Sequence, residues 1–504
     1  MANPLFDTLF AAHAGKKSVF LHLADGSTRS YDAFLGQVAR FANALAAMGL
    51  EPGDRLAAQI DKSPEALAVY GACVQAGVVF LPLNTAYTAE EVSYFVENSG
   101  ARVFLCDGAR SENLKAVADK AGARLETLNA NGTGSFFDLS AVQPDHFKTV
   151  DRDGDDLAAF LYTSGTTGRS KGAMLTQTNL LSNAQTLAKA WRFNSDDVLL
   201  HALPIFHTHG LFVATNITLV AGGSIIFLPK FDLDAMFGWM PRATTMMGVP
   251  TFYTRLLGDA RLTAEAVAHM RLFVSGSAPL LAETHREFTD RTGHAILERY
   301  GMTETNMNTS NPYEGERLAG TVGFPLPGIE LVITDPATGR ELPQGEIGQI
   351  EVRGPNVFKG YWQMPEKTAE ELRENGFFIT GDLGLIDDRG YVQIVGRNKD
   401  LIISGGYNIY PKEIELLLDD QPGVLESAVI GVPHPDFGES VIGVLVAKDG
   451  DTIDSDAIKA AIGSSLARFK QPQRLVVVNE LPRNAMGKVQ KAQLRETYKG
   501  TFAK

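Results

Sequence analysis

Helix-like and strand-like patterns alternate through most of the first 300 residues, and this alternation constrains the fold more than any other feature. Residues 31–48 carry apolar side chains at helical spacing, whereas the apolar run at 78–83 is typical of a buried strand. The same order returns at residues 177–298, after a weaker stretch at 108–156 that we expect to be a surface connection. Because parallel strands need long crossovers, usually helices, the pattern predicts an α/β fold of layered parallel sheets covered by helices.

Two later segments depart from this alternation. Residues 320–399 hold strands separated by short turns, which predicts a β-rich subdomain. Residues 400–504 return to mixed helix and strand patterns and predict a small α+β domain. We therefore expect a large N-terminal domain of residues 1–399 and a C-terminal domain of residues 400–504.

Composition and charge exclude several classes of protein. The net charge of −13 argues against a nucleic-acid partner. No apolar run approaches the roughly 18 residues of a membrane span. Cys73 and Cys106 lie in apolar runs and are typical of buried thiols in a reducing compartment. The N-terminus shows no signal-peptide pattern, and we expect a cytoplasmic location.

A glycine-rich stretch at residues 162–172 follows the apolar run at 157–161. Its eleven residues include three Gly, three Thr, two Ser, one Arg and one Lys. Such a loop can direct backbone N–H groups, hydroxyls and a cation toward phosphate groups. It is not a Walker A loop, because Ser170 rather than Gly precedes Lys171. Taken alone, the stretch also fits an ordinary Gly/Ser/Thr turn.

Four further segments carry residues with possible chemistry: 299–304, 380–382, 396–408 and 482–488. Glu304 follows a glycine turn and could hold Mg²⁺ against phosphate oxygens. Asp382 lies between strand patterns, where a carboxylate can accept both hydroxyls of a ribose. Lys488 lies in a glycine turn near the end of the chain. Each segment alone fits a plain turn or a solvated side chain equally well.

Together and in this order, the five segments resemble the adenylate-forming superfamily, which includes acyl-CoA synthetases, luciferases and nonribosomal adenylation domains. The resemblance covers essentially the whole chain. It implies that the small C-terminal domain moves on a hinge at Asp400. It also implies a two-step reaction, in which a carboxylate attacks the α-phosphate of ATP to give an acyl-adenylate and pyrophosphate, and a thiol, usually that of coenzyme A, then displaces AMP.

The resemblance also implies roles for individual residues. Lys488 would be the catalytic residue, bridging the acyl carboxylate and the α-phosphate, and Thr163 and Glu304 would bind Mg²⁺. The hinge and the coenzyme A side would involve Asp400, Ser404, Gly405, Gly406 and Tyr407. The nucleotide would contact Thr163, Ser164, Gly165, Thr166, Thr167, Gly168, Lys171, Ser277, Ala278, Glu298, Arg299, Tyr300, Gly301, Met302, Thr303, Asp382 and Arg397.

The acyl substrate would contact His207, Arg255, Ser277 and Met302. Arg255 stands where relatives that take fatty or aromatic acids tend to be apolar, and an unpaired guanidinium in an apolar pocket would be costly. We therefore expect Arg255 to meet a second carboxylate on the substrate. Residues 275–279, 306–311 and 315–325, with Arg255, are similar to the malonyl-CoA and methylmalonyl-CoA synthetase branch. The expected acid is malonate, with methylmalonate tolerated.

Several alternatives stay open at this point. The enzyme could be an acyl-CoA synthetase for another short or aromatic acid, or a luciferase-like oxidoreductase on the same fold. The expected partners are small molecules: a short dicarboxylic acid, ATP and coenzyme A. A lysine acetyltransferase and deacetylase acting on Lys488 are further candidate partners, because acetylation would remove the cation that adenylation needs.

Overall fold

The structure of the protein is a computed structural model that describes residues 2–163, 170–405, 407–463, 465–484 and 487–502. Its strands in chain order are β1 Val19–Leu23, β2 Thr28–Ser30, β3 Arg55–Gln59, β4 Val79–Pro82, β5 Val103–Cys106, β6 Arg124–Thr127, β7 Leu157–Thr163, β8 Lys171–Thr176, β9 Val198–His201, β10 Ser224–Phe227, β11 Thr245–Gly248, β12 Leu272–Ser275, β13 Leu297–Met302, β14 Asn306–Ser310, β15 Phe324–Pro325, β16 Glu330–Thr334, β17 Gly348–Arg353, β18 Phe378–Ile386, β19 Val392–Arg397, β20 Ile402–Ser404, β21 Tyr407–Ile409, β22 Val424–His434, β23 Gly438–Ala447 and β24 Arg474–Val478.

The α-helices in chain order are α1 Pro4–Leu9, α2 Tyr31–Ala47, α3 Pro64–Ala76, α4 Ala89–Ser99, α5 Ser111–Ala121, α6 Ser135–Ala141, α7 Gln177–Ala190, α8 Asn216–Ala221, α9 Leu233–Trp239, α10 Pro250–Leu257, α11 Ala264–Val267, α12 Ala282–Thr292, α13 Pro365–Glu371, α14 Pro411–Asp419, α15 Ser455–Gly463 and α16 Lys491–Tyr498. A π-helical segment, His209–Thr215, leads directly into α8.

Two largely parallel sheets form the body of the protein. One has the order β6-β5-β3-β4-β7-β8, and the other has the order β15-β14-β13-β12-β11-β9-β10-β1-β2. Buried residues of both sheets, together with α2 and α3, form one continuous apolar core. The predicted α/β fold of layered parallel sheets covered by helices is confirmed.

Helix α3 shows how local sequence signals build this core. The Ser63 side chain accepts a hydrogen bond from the Ala66 N–H, Pro64 occupies the first turn, and Gly77 ends the helix in the left-handed region at φ 71°. Nearly every residue of α3 is buried. A helix that is apolar on all sides is expected where it is enclosed by other elements.

The weak sequence pattern at 108–156 gave a wrong expectation. These residues contain α5, β6 and α6, and β6 is the edge strand of the six-stranded sheet, parallel to β5. The polar and half-exposed residues of β6 hide the strand pattern, because an edge strand is covered less completely than a central one.

The later part of the chain forms two smaller sheets. Strands β16-β17-β18-β19 form an antiparallel sheet within the segment expected to be β-rich, although this segment also contains the helix α13. From Ile402 onward, β21-β20-β23-β22 with β24 beside β23 form a sheet covered by α14, α15 and α16. A domain boundary at residue 400 stays a prediction. No helix in the described ranges is long and apolar enough to cross a bilayer.

Candidate active site

Tyr300, Asp382 and Arg397 form one hydrogen-bonded cluster. Asp382 on β18 lies directly opposite Arg397 on β19, and Arg397 Nε lies 2.7 Å from Asp382 Oδ1. The Tyr300 hydroxyl donates to Asp382 Oδ2 at 2.5 Å. The charge of Asp382 raises the pKa of Arg397, and burial raises the pKa of Tyr300 well above its ordinary value. The cluster therefore holds a neutral phenol and a charged guanidinium around one buried carboxylate.

Lys488 joins this cluster from the far end of the chain. Surrounding protein atoms lower its pKa, and the positive charges of Arg397 and Arg299 lower it further, whereas Asp382 and Glu304 raise it. Lys488 nevertheless remains exposed to solvent. Residues separated by almost 190 positions in sequence therefore lie within electrostatic reach of one ammonium group.

Thr163 and Lys171 form the base of the glycine-rich stretch. They are register partners at the end of the antiparallel β7–β8 hairpin. Lys171 Nζ lies 3.0 Å and 3.1 Å from the two carboxylate oxygens of Glu371. The loop residues between them that were predicted to contact the nucleotide lie outside the described residues: Ser164, Gly165, Thr166, Thr167 and Gly168.

Glu304 fits the predicted role of a magnesium ligand. Its side chain is 4 % exposed, and the Tyr361 hydroxyl lies 3.1 Å from Oε1. Within the described ranges, Glu304 forms no ion pair with a lysine or arginine, and a buried carboxylate without a basic partner favours a cation. No three acidic, His or Cys side chains of the described residues could hold a metal on their own. This suits Mg²⁺, which usually keeps waters and substrate phosphates as its other ligands.

His207, His209 and Ser277 line a buried region next to Lys488. The His209 N–H donates to His207 Nδ1 at 3.3 Å, and His209 Nδ1 lies 3.1 Å from Ser277 Oγ. Burial lowers the pKa of His207 to about 3, with further contributions from the charges of Lys488 and Arg299. His207 is therefore neutral at physiological pH. Ser277 adopts φ 73°, in the left-handed region that non-glycine residues rarely use.

Arg299 is the buried cation of this region. Its side chain is 3 % exposed, and Nε and Nη2 have no hydrogen-bond partner among the described residues. Burial lowers its pKa to about 9, so the guanidinium stays largely charged at neutral pH. Buried donors are seldom left unpaired unless a ligand or water meets them. The other buried atoms without hydrogen-bond partners in the described structure include Ser275 Oγ, Thr208 Oγ1, His209 Nε2 and Glu298 Oε2.

The role predicted for Arg255 assumed that its guanidinium lies in an apolar pocket, and the structure does not place it there. It lies on the exposed face of α10, and its guanidinium carbon is 5.7 Å from the centre of the Phe231 ring. Tyr253, Leu256 and Leu257 form the buried face of this helix. The expectation of a guanidinium buried in an apolar pocket is therefore wrong for Arg255, because the helix turns this position toward solvent. The buried guanidinium is that of Arg299.

The other residues predicted for the nucleotide lie on β13 or just after the neighbouring strands β12 and β13. Glu298 on β13 is buried, its Oε1 accepts a hydrogen bond from the Leu280 N–H at 3.3 Å, and burial raises its pKa to about 8. Ala278 follows β12, Gly301 and Met302 end β13, and Thr303 is in the turn that follows. A Cβ on Gly301 would lie 1.9 Å from the Asn306 carbonyl oxygen, so the close strand pairing there requires glycine.

The residues predicted for the hinge and coenzyme A contact other residues of the C-terminal segment that begins at residue 400. Asp400 is paired with Arg495 of α16 at 2.5 Å. Ser404 ends β20, and the Gly405 N–H donates to the Phe437 carbonyl at 2.9 Å. Tyr407 is exposed and stacks on the Phe469 ring at 4.5 Å. Gly406 lies outside the described residues.

Comparison with known protein families agrees with this arrangement. Residues 9–362 match the family described as AMP-binding enzyme, and residues 413–488 match the AMP-binding enzyme C-terminal domain. The chain belongs to the AMP-binding enzyme family. The predicted resemblance to the adenylate-forming superfamily is confirmed.

Individual relatives of this AMP-binding enzyme cover most or all of its length. ATP-bound MatB from Rhodopseudomonas palustris is 58% identical, with a TM-score of 0.98 and 100% of both chains covered. A malonate–CoA ligase of Arabidopsis thaliana is 37% identical over 454 residues, 84% of this chain and 74% of the relative. A feruloyl-CoA synthase of Amycolatopsis sp is also 37% identical, over 478 residues and 94% of each chain.

Sequence reasoning missed two residues that touch this site, Tyr361 and Glu371. Tyr361 links Glu304 to Glu371, and Glu371 binds Lys171. Pro365 marks the first turn of α13, and this start signal could have revealed the helix that carries Glu371. The contact itself depends on tertiary packing across 200 residues, for which the sequence holds no local signal.

Proposed function

We propose that this AMP-binding enzyme activates malonate with ATP and transfers the malonyl group to coenzyme A, which gives malonyl-CoA, AMP and pyrophosphate. The 58% identity to MatB over the whole chain supports this proposal, as does the similarity to a malonate–CoA ligase. We expect methylmalonate as a second substrate. The free, buried Cys73 and Cys106 fit a reducing compartment, and we expect the enzyme to act in the cytoplasm.

The observation that carries the proposal is the buried guanidinium of Arg299, which lies beside His207 and Lys488 and whose Nε and Nη2 have no hydrogen-bond partner among the described residues. A malonate dianion has two carboxylates. Lys488 would meet the carboxylate that reacts, while the guanidinium of Arg299 would bind the other through Nε and Nη2 in a bidentate pair. A monocarboxylic acid would leave the buried Arg299 charge unpaired, at a substantial free-energy cost. Arg299 therefore takes the role that the sequence suggested for Arg255.

The first half-reaction forms a bond between a malonate oxygen and the α-phosphorus of ATP and breaks the bond to pyrophosphate. Lys488 would hold the attacking carboxylate and the α-phosphate together and offset the charge that develops between them. The neutral His207 would form a wall of the acyl pocket without adding a second cation. Ser277 and Met302 would complete this wall.

The nucleotide would be held at three places. Asp382 has further lone pairs for the ribose hydroxyls, Tyr300 would contact the adenine, and Lys171 with the hydroxyls of the glycine-rich loop would bind the β- and γ-phosphates. Glu304, with Thr163, would hold Mg²⁺, which offsets negative charge on the phosphates. The remaining contacts would come from Ser164, Gly165, Thr166, Thr167, Gly168, Ala278, Glu298, Gly301, Thr303 and Arg397.

The second half-reaction transfers the malonyl group from the adenylate to the sulfur of coenzyme A, and AMP leaves. We expect rotation about Asp400 to withdraw Lys488 and to bring Ser404, Gly405, Gly406 and Tyr407 toward the thiol. Acetylation of Lys488 by an acetyltransferase, reversed by a deacetylase, would block the first half-reaction because the ammonium charge is lost.

One alternative has a specific observation in its favour. The feruloyl-CoA synthase relative is as similar to this chain as the plant malonate–CoA ligase, which keeps a larger aromatic acid open as the substrate. A luciferase-like oxidoreductase would also need a large aromatic pocket. The buried charge of Arg299 and the buried polar atoms beside it oppose both alternatives, since an aromatic ring there would leave them without partners.

A panel of acids tests the proposal directly. The purified enzyme, ATP, Mg²⁺ and coenzyme A are incubated with malonate, methylmalonate, acetate, benzoate or ferulate, and AMP release and the thioester product are measured. We expect the highest kcat/KM with malonate and the thioester malonyl-CoA. A higher kcat/KM with ferulate or benzoate, or AMP release without any thioester, would contradict the proposal.

A further inference from the structure

Lys171 is held in place by a residue of α13 rather than being free in solvent. Its ammonium contacts both oxygens of Glu371, at 3.0 Å and 3.1 Å, and the two side chains are only 12% and 21% exposed. The ammonium also lies 4.0 Å from the centre of the Tyr361 ring. With an ion pair on one side and an aromatic face on another, the long lysine side chain is confined to one position.

Tyr361 connects this ion pair to Glu304. Its hydroxyl lies 2.6 Å from Glu371 Oε2 and 3.1 Å from Glu304 Oε1. A phenol has one proton to donate, so Tyr361 cannot donate to both carboxylates at once, and the shorter contact is the one to Glu371. The side chain is buried, and its main chain forms a β-bridge with Ala173 of β8.

The ionisation of Glu371 suits this arrangement. Burial raises its pKa, but hydrogen bonds from Tyr361, Lys367 and Lys171 outweigh burial, and the net pKa lies below the ordinary value. The carboxylate is therefore charged at neutral pH. It is positioned by three donors, of which Lys171 is the one at the base of the glycine-rich loop.

We infer that Glu371 and Tyr361 are positioning residues, which fix the Lys171 ammonium and the Glu304 carboxylate at a set spacing, so that the ammonium meets the triphosphate of ATP while the carboxylate meets the Mg²⁺ that ATP would bring. This inference rests on the proposed function, which assigns the β- and γ-phosphates to Lys171. A lysine has three N–H donors, so Lys171 can keep Glu371 and still bind phosphate. Without Glu371, the ammonium must be ordered at the moment ATP binds, at a cost in conformational entropy.

The variant that tests this inference is Glu371→Gln, which keeps the shape of the side chain and removes its charge. We expect the Kd and KM for ATP to rise about 10-fold, the effect of losing one charge-assisted hydrogen bond. The Kd for AMP should not change, because AMP lacks the β- and γ-phosphates. The KM values for malonate and coenzyme A should also stay within about twofold of the wild type.

A matched control is available on the same helix. Glu370 carries the same charge, is exposed and pairs with Lys367 at 2.7 Å rather than with Lys171. Glu370→Gln should leave the Kd for ATP and AMP unchanged. Tyr361→Phe keeps the aromatic ring beside the Lys171 ammonium and removes the hydroxyl. Like Glu371→Gln, it should raise the Kd for ATP and leave the Kd for AMP unchanged.

Calorimetric titration of each purified variant with ATP and with AMP distinguishes the outcomes. Weaker ATP binding with unchanged AMP binding supports the inference. An ATP Kd for Glu371→Gln equal to that of Glu370→Gln, tighter ATP binding, or equal weakening of ATP and AMP would overturn it. If Glu371→Gln does not fold, the same comparison is made with Tyr361→Phe. A wild-type enzyme that binds no ATP would instead contradict the proposed function.

Discussion

The guanidinium of Arg299 occupies the space that a side chain on Gly276 would need. A Cβ built on Gly276 would lie 2.4 Å from Cζ of Arg299 and 2.5 Å from Nη1. Gly276 does not adopt a positive φ, so its backbone would accept other residues. The buried arginine is therefore the reason that glycine is required at position 276. The position of the Arg299 guanidinium on β13 thus depends on the absence of a side chain in the loop after β12.

Gly276→Ala should displace the guanidinium of Arg299 and weaken malonate binding. Because the added methyl group cannot fit beside Cζ, the arginine must move by about 1 Å, and misplacement of this size typically lowers kcat/KM by roughly 10- to 100-fold. The measurement is kcat/KM for malonate, with the KM for ATP followed in parallel. The control is Gly238→Ala, because a Cβ there would meet nothing within 4 Å. Equal kinetics in the two variants would contradict this account of Gly276.

Glu298 should make the stability of the protein fall as the pH rises. Burial raises its pKa from 4.5 to about 8, so the folded state keeps a proton that the unfolded state loses above pH 4.5. The stabilising contribution is complete below pH 4.5, declines between pH 4.5 and about 8 by up to about 1.4 kcal/mol per pH unit, and is absent above that range. Glu298→Gln cannot ionise and should lack this decline.

Thermal unfolding of the wild type and Glu298→Gln at pH 5, 7 and 9 checks this prediction. As the pH increases, the Tm of Glu298→Gln should rise relative to the Tm of the wild type. A difference that does not change with pH would show that Glu298 ionises normally in the folded protein.

Lys488 should be required for one half-reaction only. Lys488→Gln removes the ammonium that would bridge malonate and the α-phosphate, and we expect adenylation to slow by about 100-fold or more. Conversion of preformed malonyl-adenylate to malonyl-CoA should stay within a few-fold of the wild type. Enzyme acetylated at Lys488 should behave in the same way. Lys499→Gln, at an exposed lysine of the same C-terminal region, is the control; equal loss of both half-reactions in Lys488→Gln would refute the assignment.

His207 should not titrate in the working pH range. Burial and the charges of Lys488 and Arg299 lower its pKa to about 3, so the imidazole is neutral above pH 5. The pH profile of kcat/KM for malonate between pH 5 and 8 should therefore have the same shape in the wild type and in His207→Asn, although its level falls. Ionisation of malonate affects both profiles equally. An acidic limb that disappears in His207→Asn would show that His207 does titrate.

The fold could be predicted because the periodicities that specify it are local, whereas the site residues were proposed from the resemblance of five spaced segments to one family. Alternating periodicities predicted layered parallel sheets, and the structure brings Tyr300, Asp382 and Arg397 together in one cluster. The edge strand β6 and the helix α13 escaped prediction, since the first has a half-exposed pattern and the second interrupts a β-rich segment.

The sequence assigned the second carboxylate of the substrate to Arg255, whereas the structure exposes Arg255 and buries Arg299. A buried guanidinium needs a negatively charged partner wherever it lies in the chain, but sequence alone does not show which arginine is buried. Arg255 follows two aromatic residues on a short helix, and the helical period turns it outward. Arg299 lies on a strand between Glu298 and Tyr300, so a pattern of polar residues concealed its burial.

Replacement of Arg299 tests the central claim, that a buried cation selects a dicarboxylate, most directly. Arg299→Met and Arg255→Met are compared with the wild type for kcat/KM with malonate and with acetate, measured by AMP release. We expect Arg299→Met to lose about 100-fold or more with malonate, as when one partner of a buried charge pair is removed, while activity with acetate is kept or increased. Arg255→Met should change either value by less than about threefold, as most surface substitutions do. Full malonate activity in Arg299→Met, or the large loss in Arg255→Met instead, would contradict the claim.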